Sequence, residues 1–380
     1  MNNFIGEKNI QRYVVLMITI GALFFASCDI FTPEERMKNP LLKERQWSRE
    51  RANDWVAQVG WPAGCNYNPY NSINQLEMWQ VDTFSPEVID SELALAESIG
   101  FNIIRVYLHD LAWETDKAGF ISRMDQFLEI ASSHGIKTLF VIFDDCWNEN
   151  PSPGIQPDPI PGVHNSRWVQ SPGSQKATNP EYWPQLEAYV KDVLTTFKED
   201  ERIFGWDLYN EPGQFLDFTR SFPLLVEVFI WAREVNPSQP LTAGVFERGA
   251  AWAMKMNQFQ IEYSDIVSFH NYKKKESMME DIEYFLSFGR PVICTEYMAR
   301  GFGSTFEDIM PLLKANNIGA INWGFVDGKT QTKYSWFTWL FPGGTEEPEP
   351  WHHEIFRADH TPYQEAEVEL IKNLTGANSN

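Results

Sequence analysis

The feature of this sequence that most constrains its fold is a repeated alternation between short apolar runs and helical stretches. The apolar runs are rich in β-branched and aromatic residues, which favour strands. Alternation of this kind is typical of a parallel sheet with helices packed outside it. Eight such runs can be counted, and they span residues 59–66, 102–108, 137–143, 203–209, 241–246, 265–270, 291–297 and 320–325.

This alternation predicts an α/β fold with a single (β/α)8 barrel. Helical segments such as Pro86–Ser98 and Ile121–His134 separate the runs, and Gly100 and Gly135 follow them where a left-handed glycine ends a helix. Eight strands in roughly 270 residues is the size of one TIM barrel. An open, doubly wound sheet is the alternative. Such a sheet would be expected to carry a glycine-rich phosphate-binding turn after an early strand, and the sequence lacks one.

Two connections between the predicted elements are unusually long. Residues 145–183 follow the third strand, and residues 327–361 follow the eighth. Loops of this length in a compact domain are usually functional. Both would lie on the C-terminal face of a barrel, which is where barrel enzymes carry their chemistry.

The N-terminal residues read as a targeting segment. Lys8 and Arg12 precede an apolar stretch over residues 14–25 that is too short for an ordinary membrane span. The small residues before Cys28 resemble a bacterial lipoprotein signal, in which the cysteine is lipidated. An ordinary secretory signal or an uncleaved anchor is the alternative.

The sequence therefore predicts a signal peptide over residues 1–27, a tether over 28–46 and a catalytic barrel over 47–375. We expect a location in the bacterial cell envelope, at the outer membrane, on the cell surface or in the periplasm, with membrane contact only through lipid on Cys28. The formal charge of −21 argues against nucleic acid as a partner, because that binding needs clustered Lys and Arg. We expect a monomer.

The cysteines predict neither a disulfide framework nor a metal site. After Cys28, three remain, Cys65, Cys146 and Cys294. An odd number that is widely spaced fits buried thiols better than paired cysteines or a zinc knuckle. No cofactor and no metal are expected.

Two of the predicted strands end in a carboxylate. Glu211 follows the fourth strand, and Glu296 lies at the end of the seventh. The C-terminal ends of these two strands face each other across a barrel. Hydrolysis of a glycosidic bond needs one carboxylic acid to protonate the leaving oxygen and one carboxylate to attack carbon or activate water.

The triplet Asn210-Glu211-Pro212 after strand four and Glu296 on strand seven resemble the clan A glycoside hydrolases, especially the cellulase- and mannanase-like family 5. The resemblance covers about residues 50–340. It implies that Glu211 is the acid/base and Glu296 the nucleophile of a retaining β-glycosidase.

The same resemblance implies roles for five further residues. Arg105 would keep the nucleophile ionised, Asn210 would bind the sugar 2-hydroxyl, and Tyr272 would donate a hydrogen bond to the nucleophile. His270 belongs to the family's His-x-Tyr pattern, and Trp323 matches the aromatic floor under the sugar.

The chain departs from the family after strand three. Many family 5 enzymes carry a histidine there, whereas this chain has Asp144, Asp145, Cys146 and Trp147. The two aspartates are expected either to hold substrate hydroxyls or to be structural. Sugar faces stack on aromatic rings, so six tryptophans are candidates for substrate contacts: Trp61, Trp113, Trp147, Trp168, Trp336 and Trp339.

Three functions compete with a hydrolase of this kind. The first is a metal-dependent barrel hydrolase, which requires a His-x-His pair on an early strand. The one pair of histidines close in sequence is His352-His353, in a late loop. The second is a glycan-binding lipoprotein without catalysis, and the third is a transglycosylase on the same fold. The sugar, the linkage and the choice between endo and exo action stay open, although the two long loops favour a pocket over an open cleft.

Overall fold

The computed structural model describes residues 32–214 and 218–379, and the chain divides into two units, residues 1–38 and 39–380. In the first unit, Pro33–Arg36 forms the short helix α1, which Thr32 caps by accepting a hydrogen bond from the backbone N–H of Glu35. The predicted signal peptide and Cys28 lie outside the described residues. No helix in the described ranges is both long and apolar enough to cross a membrane.

The second unit is built on one eight-stranded parallel sheet. Its strands are β1 (Ala63–Tyr67), β2 (Ile103–Tyr107), β3 (Lys137–Val141), β4 (Ile203–Asp207), β5 (Leu241–Thr242), β6 (Val267–His270), β7 (Val292–Glu296) and β8 (Gly319–Asn322). They are hydrogen-bonded in the order β5-β4-β3-β2-β1-β8-β7-β6. A parallel bridge between Val245 and Phe269 joins the two edges. The predicted (β/α)8 barrel is confirmed.

Helices alternate with the strands and cover the outside of the barrel. In chain order they are α2 (Leu41–Glu44), α3 (Arg49–Val59), α4 (Gln75–Trp79), α5 (Pro86–Ser98), α6 (Asp110–Thr115), α7 (Lys117–Ser133), α8 (Ser174–Thr178), α9 (Trp183–Thr196), α10 (Phe218–Val235), α11 (Met254–Tyr263), α12 (Lys275–Leu286), α13 (Phe306–Ala315) and α14 (Glu365–Thr375). Short 3-10 turns occur at Pro180–Tyr182, Ala251–Ala253, Arg300–Phe302, Trp336–Trp339 and Ala377–Ser379.

The predicted element ends agree with the structure in part: helix α7 begins at Lys117 instead of the predicted Ile121, because the Asp116 side chain caps it by accepting a hydrogen bond from the Gly119 backbone N–H. Helix α5 has the predicted bounds, and Gly100 and Gly135 have φ values of 75° and 70° after their helices. Strand β1 starts at Ala63 instead of Val59, because α3 continues to Val59 and Gly60 (φ 80°) then ends the helix.

The lower half of the barrel is filled by apolar side chains. One buried residue from most of the strands contributes to this layer, which consists of Ile103, Leu139, Phe204, Ile266, Ile293 and Ile321. Trp55, Val56 and Val59 of α3 pack against the layer from below. The N-terminal end of the barrel is therefore closed, which leaves the C-terminal end for a site.

Residues 39–46, which the sequence assigns to the tether, are held against the barrel. Leu42 is fully buried, and the Gln46 side chain donates hydrogen bonds to the backbone oxygens of Glu262 and Ser264 at 2.8 and 2.9 Å. The next residue, Trp47, donates its backbone N–H to Asp265 at 2.8 Å. The packed unit therefore begins ahead of the boundary expected at residue 47.

Candidate active site

The two glutamates singled out in the sequence meet at the C-terminal end of the barrel. Glu296 is the last residue of β7, and Glu211 lies four residues beyond the end of β4. An oxygen of each glutamate and a ring nitrogen of His270 all lie within 4.8 Å of one another. The exposed fractions are only 7% for Glu211 and 4% for Glu296, so little water surrounds the pair. Glu211 has a φ of 42°, a strained backbone conformation of the kind that functional sites retain.

Glu296 accepts hydrogen bonds on both of its oxygens. Oε1 receives Arg105 Nη1 and the Tyr107 hydroxyl, both at 2.8 Å, and Oε2 receives the Tyr272 hydroxyl at 2.7 Å. Burial raises the pKa of Glu296, but the charges of His270 and Arg105 and the two tyrosine hydrogen bonds outweigh burial. The pKa of Glu296 therefore lies below its ordinary value, and the group is held as a carboxylate.

Arg105 is fully buried and fixed from several strands. Its Nε and Nη2 bind the same oxygen of Asp207 at 3.0 and 2.8 Å, and Nη2 also donates to Asn210 Oδ1 at 2.7 Å. Nη1 reaches Asn66 Oδ1 at 2.7 Å as well as Glu296. One guanidinium thus connects the C-terminal ends of β1, β2, β4 and β7, and its position cannot change without breaking this network.

Sequence reasoning missed Asn66, Tyr107 and Asp207. A signal for Tyr107 was present, because residues two apart on a strand point to the same side, and Tyr107 is two residues after Arg105. Asp207 is the last residue of β4, and its carboxylate reaches Arg105 inside the barrel. Polar residues on the inner side of a barrel near its C-terminal end are candidates for a site.

Glu211 contacts a histidine and a thiol. His270 Nδ1 lies 2.7 Å from Oε1 of Glu211 and 3.5 Å from Oε2 of Glu296, so the imidazole stands between the two carboxylates. Cys146 Sγ lies 3.4 Å from Oε2 of Glu211. Burial raises the pKa of the Cys146 thiol well above its ordinary value, so the group is protonated and donates its S–H.

The two aspartates after β3 bind protein groups. Asp145 is fully buried and accepts from the Tyr209 hydroxyl at 2.7 Å, from the Gly213 backbone N–H at 2.6 Å and from the Ser221 hydroxyl. It therefore stabilises the turn that carries Glu211. Of the two roles expected for Asp145, the structure favours the structural one over a substrate contact.

Asp144 orients two groups that face the carboxylate pair. Its oxygens accept from Asn210 Nδ2 at 2.8 Å and from Trp168 Nε1 at 2.6 Å. Burial raises the pKa of Asp144 to about 7, against the effect of these hydrogen bonds. Asp144 thus supports Asn210 and Trp168, and a direct substrate contact is not needed to explain it.

Aromatic rings form one side of the site. Trp323 packs edge-on against Tyr107 and Trp168, with centroid distances of 5.8 Å in both cases. Trp336 packs edge-on against Tyr272 at 5.3 Å. These rings are contiguous with the groups that hold Glu296, and flat apolar surfaces of this kind suit the C–H faces of a sugar ring.

Two of the candidate tryptophans lie elsewhere. Trp61 precedes β1 and donates to the backbone oxygen of Ile318, at the N-terminal end of the barrel. Trp113 lies on α6 and donates to Asp192 at 2.8 Å. The structure therefore does not bring these two to the carboxylate pair.

The two long loops are joined above the barrel. His164, in the loop after β3, receives a hydrogen bond from Trp339 Nε1 on its backbone oxygen at 2.7 Å and donates its backbone N–H to the Thr338 hydroxyl at 2.9 Å. The ring of Trp147 stacks on that of Trp339 at 4.9 Å with an interplanar angle of 11°. The loops after β3 and β8 therefore form one continuous wall, to which Trp147 belongs.

Glu211, His270 and Glu296 are also close enough together to ligate one metal ion, and they are the only such group among residues 32–214 and 218–379. Glu296, however, already accepts three hydrogen bonds from Arg105, Tyr107 and Tyr272. A neighbouring guanidinium and two hydroxyl donors are the surroundings of a free carboxylate. The residues therefore fit acid–base chemistry between two carboxyl groups better than metal binding.

Comparisons with known proteins agree with this geometry. The family model described as Cellulase (glycosyl hydrolase family 5) matches residues 65–328, more than half of the chain. A curated relative, mannan endo-1,4-β-mannosidase F of Aspergillus clavatus, is 25% identical over 183 residues, and the match covers 43% of this chain and 38% of that protein. The chain thus spans well under half the length of this relative.

Solved structures share the fold. An exo-β-1,4-mannosidase from Opitutaceae bacterium strain TAV5 superposes with a TM-score of 0.60 at 17% identity, covering 83% of this chain and 59% of the other. An endo-β-1,4-mannanase from Thermotoga petrophila superposes with a TM-score of 0.54 at 15% identity, covering 85% and 77%.

Proposed function

This chain belongs to glycosyl hydrolase family 5, and from that membership we propose that it cleaves β-glycosidic bonds with retention of anomeric configuration. Glu296 acts as the nucleophile and Glu211 as the acid/base. The substrate is a carbohydrate, and the reaction is a double displacement through a glycosyl-enzyme.

The observation that carries this proposal is the closeness of the two carboxyl groups. An oxygen of Glu211 lies within 4.8 Å of an oxygen of Glu296. Retaining enzymes have carboxyl groups about 5–5.5 Å apart, whereas inverting enzymes need about 6.5–9.5 Å to hold a water molecule between carboxylate and sugar. The short separation supports direct attack by Glu296.

The surroundings of each glutamate suit its step. In the first step, an oxygen of Glu296 forms a bond to the anomeric carbon while the bond to the leaving oxygen breaks and Glu211 gives that oxygen its proton. In the second step, Glu211 takes a proton from water, whose oxygen displaces Glu296 from the anomeric carbon. Arg105, Tyr107 and Tyr272 keep Glu296 ionised before attack and stabilise it as it leaves.

We propose β-1,4-linked mannosides as the substrate class. The curated relative and the two solved structures are named for action on mannan or β-1,4-mannosides. The wall made by the two long loops supports attack near a chain end, because a continuous barrier on one side of the carboxylates leaves little room for a long glycone. The stacked rings of Trp147 and Trp339 belong to that barrier.

The test is sugar release from 4-nitrophenyl β-mannoside, β-1,4-mannohexaose and a panel of β-linked polysaccharides, with proton NMR of the first product. We expect wild type to release the β-anomer first, and Glu296→Ala to be inactive. Glu87→Gln is the matched control, because Glu87 is exposed on α5. It should behave as wild type.

The possible results separate the competing functions. An α-anomer released first would overturn retention. Tight binding of one glycan without release of any sugar would favour a glycan-binding protein without catalysis. Release of longer products from mannohexaose would indicate transglycosylation. Glu211→Gln should lose activity mainly on substrates with poor leaving groups, since these need the proton most.

We also propose that the protein is a lipoprotein of the bacterial cell envelope, anchored through Cys28. The support is the sequence pattern of residues 8–28 alone. Mass spectrometry of the N-terminal peptide from membrane fractions tests this, with Cys28→Ser as the control. An unmodified Cys28 in a membrane-free fraction would contradict it.

A further inference from the structure

A small cavity opens beside the aromatic rings of the site. It has a volume of about 30 Å³ and lies at the ends of β1 and β8, and its lining includes Tyr107, Trp168, Trp323, Asn68 and Glu354. A space of this size holds one or two groups as large as a water molecule. Its lining does not include Glu211 or Glu296, so the cavity adjoins the proposed site without containing the carboxylate pair.

Two residues in the lining of this cavity each carry a buried oxygen atom that has no hydrogen-bond partner in the protein. Glu354 is 1% exposed; its Oε1 accepts from the Thr332 hydroxyl, while Oε2 has no protein group within hydrogen-bonding distance. Asn68 Oδ1 is likewise buried without a hydrogen-bond partner, although Asn68 Nδ2 donates to the Ser72 backbone oxygen at 2.7 Å. Buried polar atoms without partners are costly, so a pair of them in one cavity points to a hydrogen-bonding ligand.

The Glu354 backbone is fixed in an unusual conformation. Its φ is 28°, in the left-handed region that side chains rarely adopt. Gly324, next to Trp323, has a φ of 85°, and a Cβ there would lie 2.6 Å from the Glu354 backbone nitrogen. Arg300 holds the Glu354 backbone oxygen at 2.9 Å. The backbone at Glu354 is thus packed closely against Gly324, the residue after Trp323, and is held there by Arg300.

The charges around Glu354 favour a neutral, protonated carboxyl group, which can both donate and accept a hydrogen bond. Burial and the charge of Asp327 raise the pKa of Glu354 to about 8, while Thr332, Arg300 and Lys333 act in the other direction. Near neutral pH the group therefore carries a proton much of the time. A protonated carboxyl both donates and accepts, as a sugar hydroxyl does.

We propose that this cavity receives one hydroxyl-bearing substituent of the sugar that stacks on Trp323, and that Glu354 and Asn68 select glycosides that carry it. This inference rests on the proposed function. Binding sites built to hydrogen-bond a hydroxyl reject analogues that lack it, because the buried partners are then left unpaired. The cavity would accordingly determine which sugars are accepted, without taking part in bond cleavage.

The test pairs enzyme variants with modified substrates. The kcat/KM of wild type and Glu354→Leu is measured on 4-nitrophenyl β-mannoside and on its 3-, 4- and 6-deoxy analogues. We expect wild type to lose roughly 10- to 100-fold on one analogue, a range in keeping with the cost of leaving a buried polar group without its partner. Glu354→Leu should be slower than wild type on the parent compound by a similar factor, and should no longer distinguish that analogue.

Further variants keep the test decisive if Glu354→Leu does not fold. Asn68→Ala should weaken discrimination of the same analogue, while Glu354→Gln, which retains the size and a hydrogen-bonding amide, should keep most of it. Unfolding temperatures identify a variant that has failed to fold. The kcat/KM values of wild type on the deoxy analogues by themselves test whether the protein recognises one hydroxyl group.

Four outcomes separate the possibilities. No activity of wild type on any glycoside would count against the proposed function. Activity with no analogue rejected, or with equal losses in wild type and Glu354→Leu for every analogue, would overturn the cavity's role. A Glu354-dependent loss of activity on chelation, restored by Ca²⁺, would show a cation site and overturn it as well. Rejection of one analogue that depends on Glu354 and Asn68 would support it.

Discussion

The hydroxyl of Tyr107 lies 2.8 Å from the same oxygen of Glu296 that Arg105 contacts. The proposed nucleophile, Glu296, therefore has a second tyrosine donor in addition to Tyr272, which the sequence resemblance had implied. Because both donors favour the charged form of Glu296, each helps to keep its pKa low. This arrangement makes Tyr107 a positioning residue, and its hydroxyl also accepts a hydrogen bond from Arg105 Nη1 at 2.5 Å.

We expect Tyr107→Phe to lower kcat/KM by about 10- to 100-fold, the usual effect of losing a hydrogen bond to a charged group. The pKa of Glu296 should rise, so the acidic limb of the kcat/KM profile should move to higher pH. Tyr189→Phe is the control, since the Tyr189 hydroxyl contacts the backbone oxygen of Ile142 at 3.4 Å on the outer side of the barrel. An acidic limb that stays in place would contradict this role.

The contact between Cys146 and Glu211 leads to a second prediction. The thiol lies 3.4 Å from Oε2 of Glu211 and orients the carboxyl group that we propose delivers the proton. Cys146→Ala should therefore lower the rate of hydrolysis several-fold for aryl glycosides with poor leaving groups. The rate for aryl glycosides with good leaving groups should fall less. Cys146→Ser, which keeps a donor, should restore most of the difference. The buried Cys65 provides the control as Cys65→Ala. Equal losses on all leaving groups would argue against this role.

The stacked pair Trp147 and Trp339 leads to a third prediction. If these rings form the barrier that limits the glycone, Trp339→Ala should open it, and mannohexaose should then be cut further from its chain end. Product sizes from chromatography measure this change. Phe341→Ala is the matched control, because Phe341 lies in the same loop and is 75% exposed. Unchanged product sizes for Trp339→Ala would show that the wall does not determine the point of cleavage.

The parts of the fold that follow from local pattern could be predicted from the sequence. Strand and helix alternation indicated the barrel, and the positions of Glu211 and Glu296 at strand ends placed them on one face. Helix α5 had the predicted bounds because Pro86 and Gly100 mark its ends. Each of these features depends on a few neighbouring residues.

The parts that depend on packing between distant segments could not be predicted. Cys146 approaches Glu211 across 65 positions, and His164 joins Tyr334 across 170. The loop containing Glu354 packs against the backbone at Gly324 only because that residue has no side chain. No periodicity specifies such contacts, so a lone acidic residue in a late loop gave no sign of its position.

Glu92 on α5 provides a prediction about stability. It is fully buried, accepts from the Tyr67 hydroxyl at 2.7 Å, and burial raises its pKa to about 7. A carboxyl group with a raised pKa holds its proton in the folded protein after the unfolded chain has lost it. Its contribution to stability is thus complete below the pKa of the same group in the unfolded chain and is lost as pH rises through about 7.

Between pH 4 and pH 8, the free energy of unfolding of wild type should fall by about 3 kcal/mol relative to that of Glu92→Gln, as measured by urea unfolding. Glu87→Gln, on the exposed face of the same helix, should show no such trend, and a constant difference for Glu92→Gln across this range would contradict the assignment.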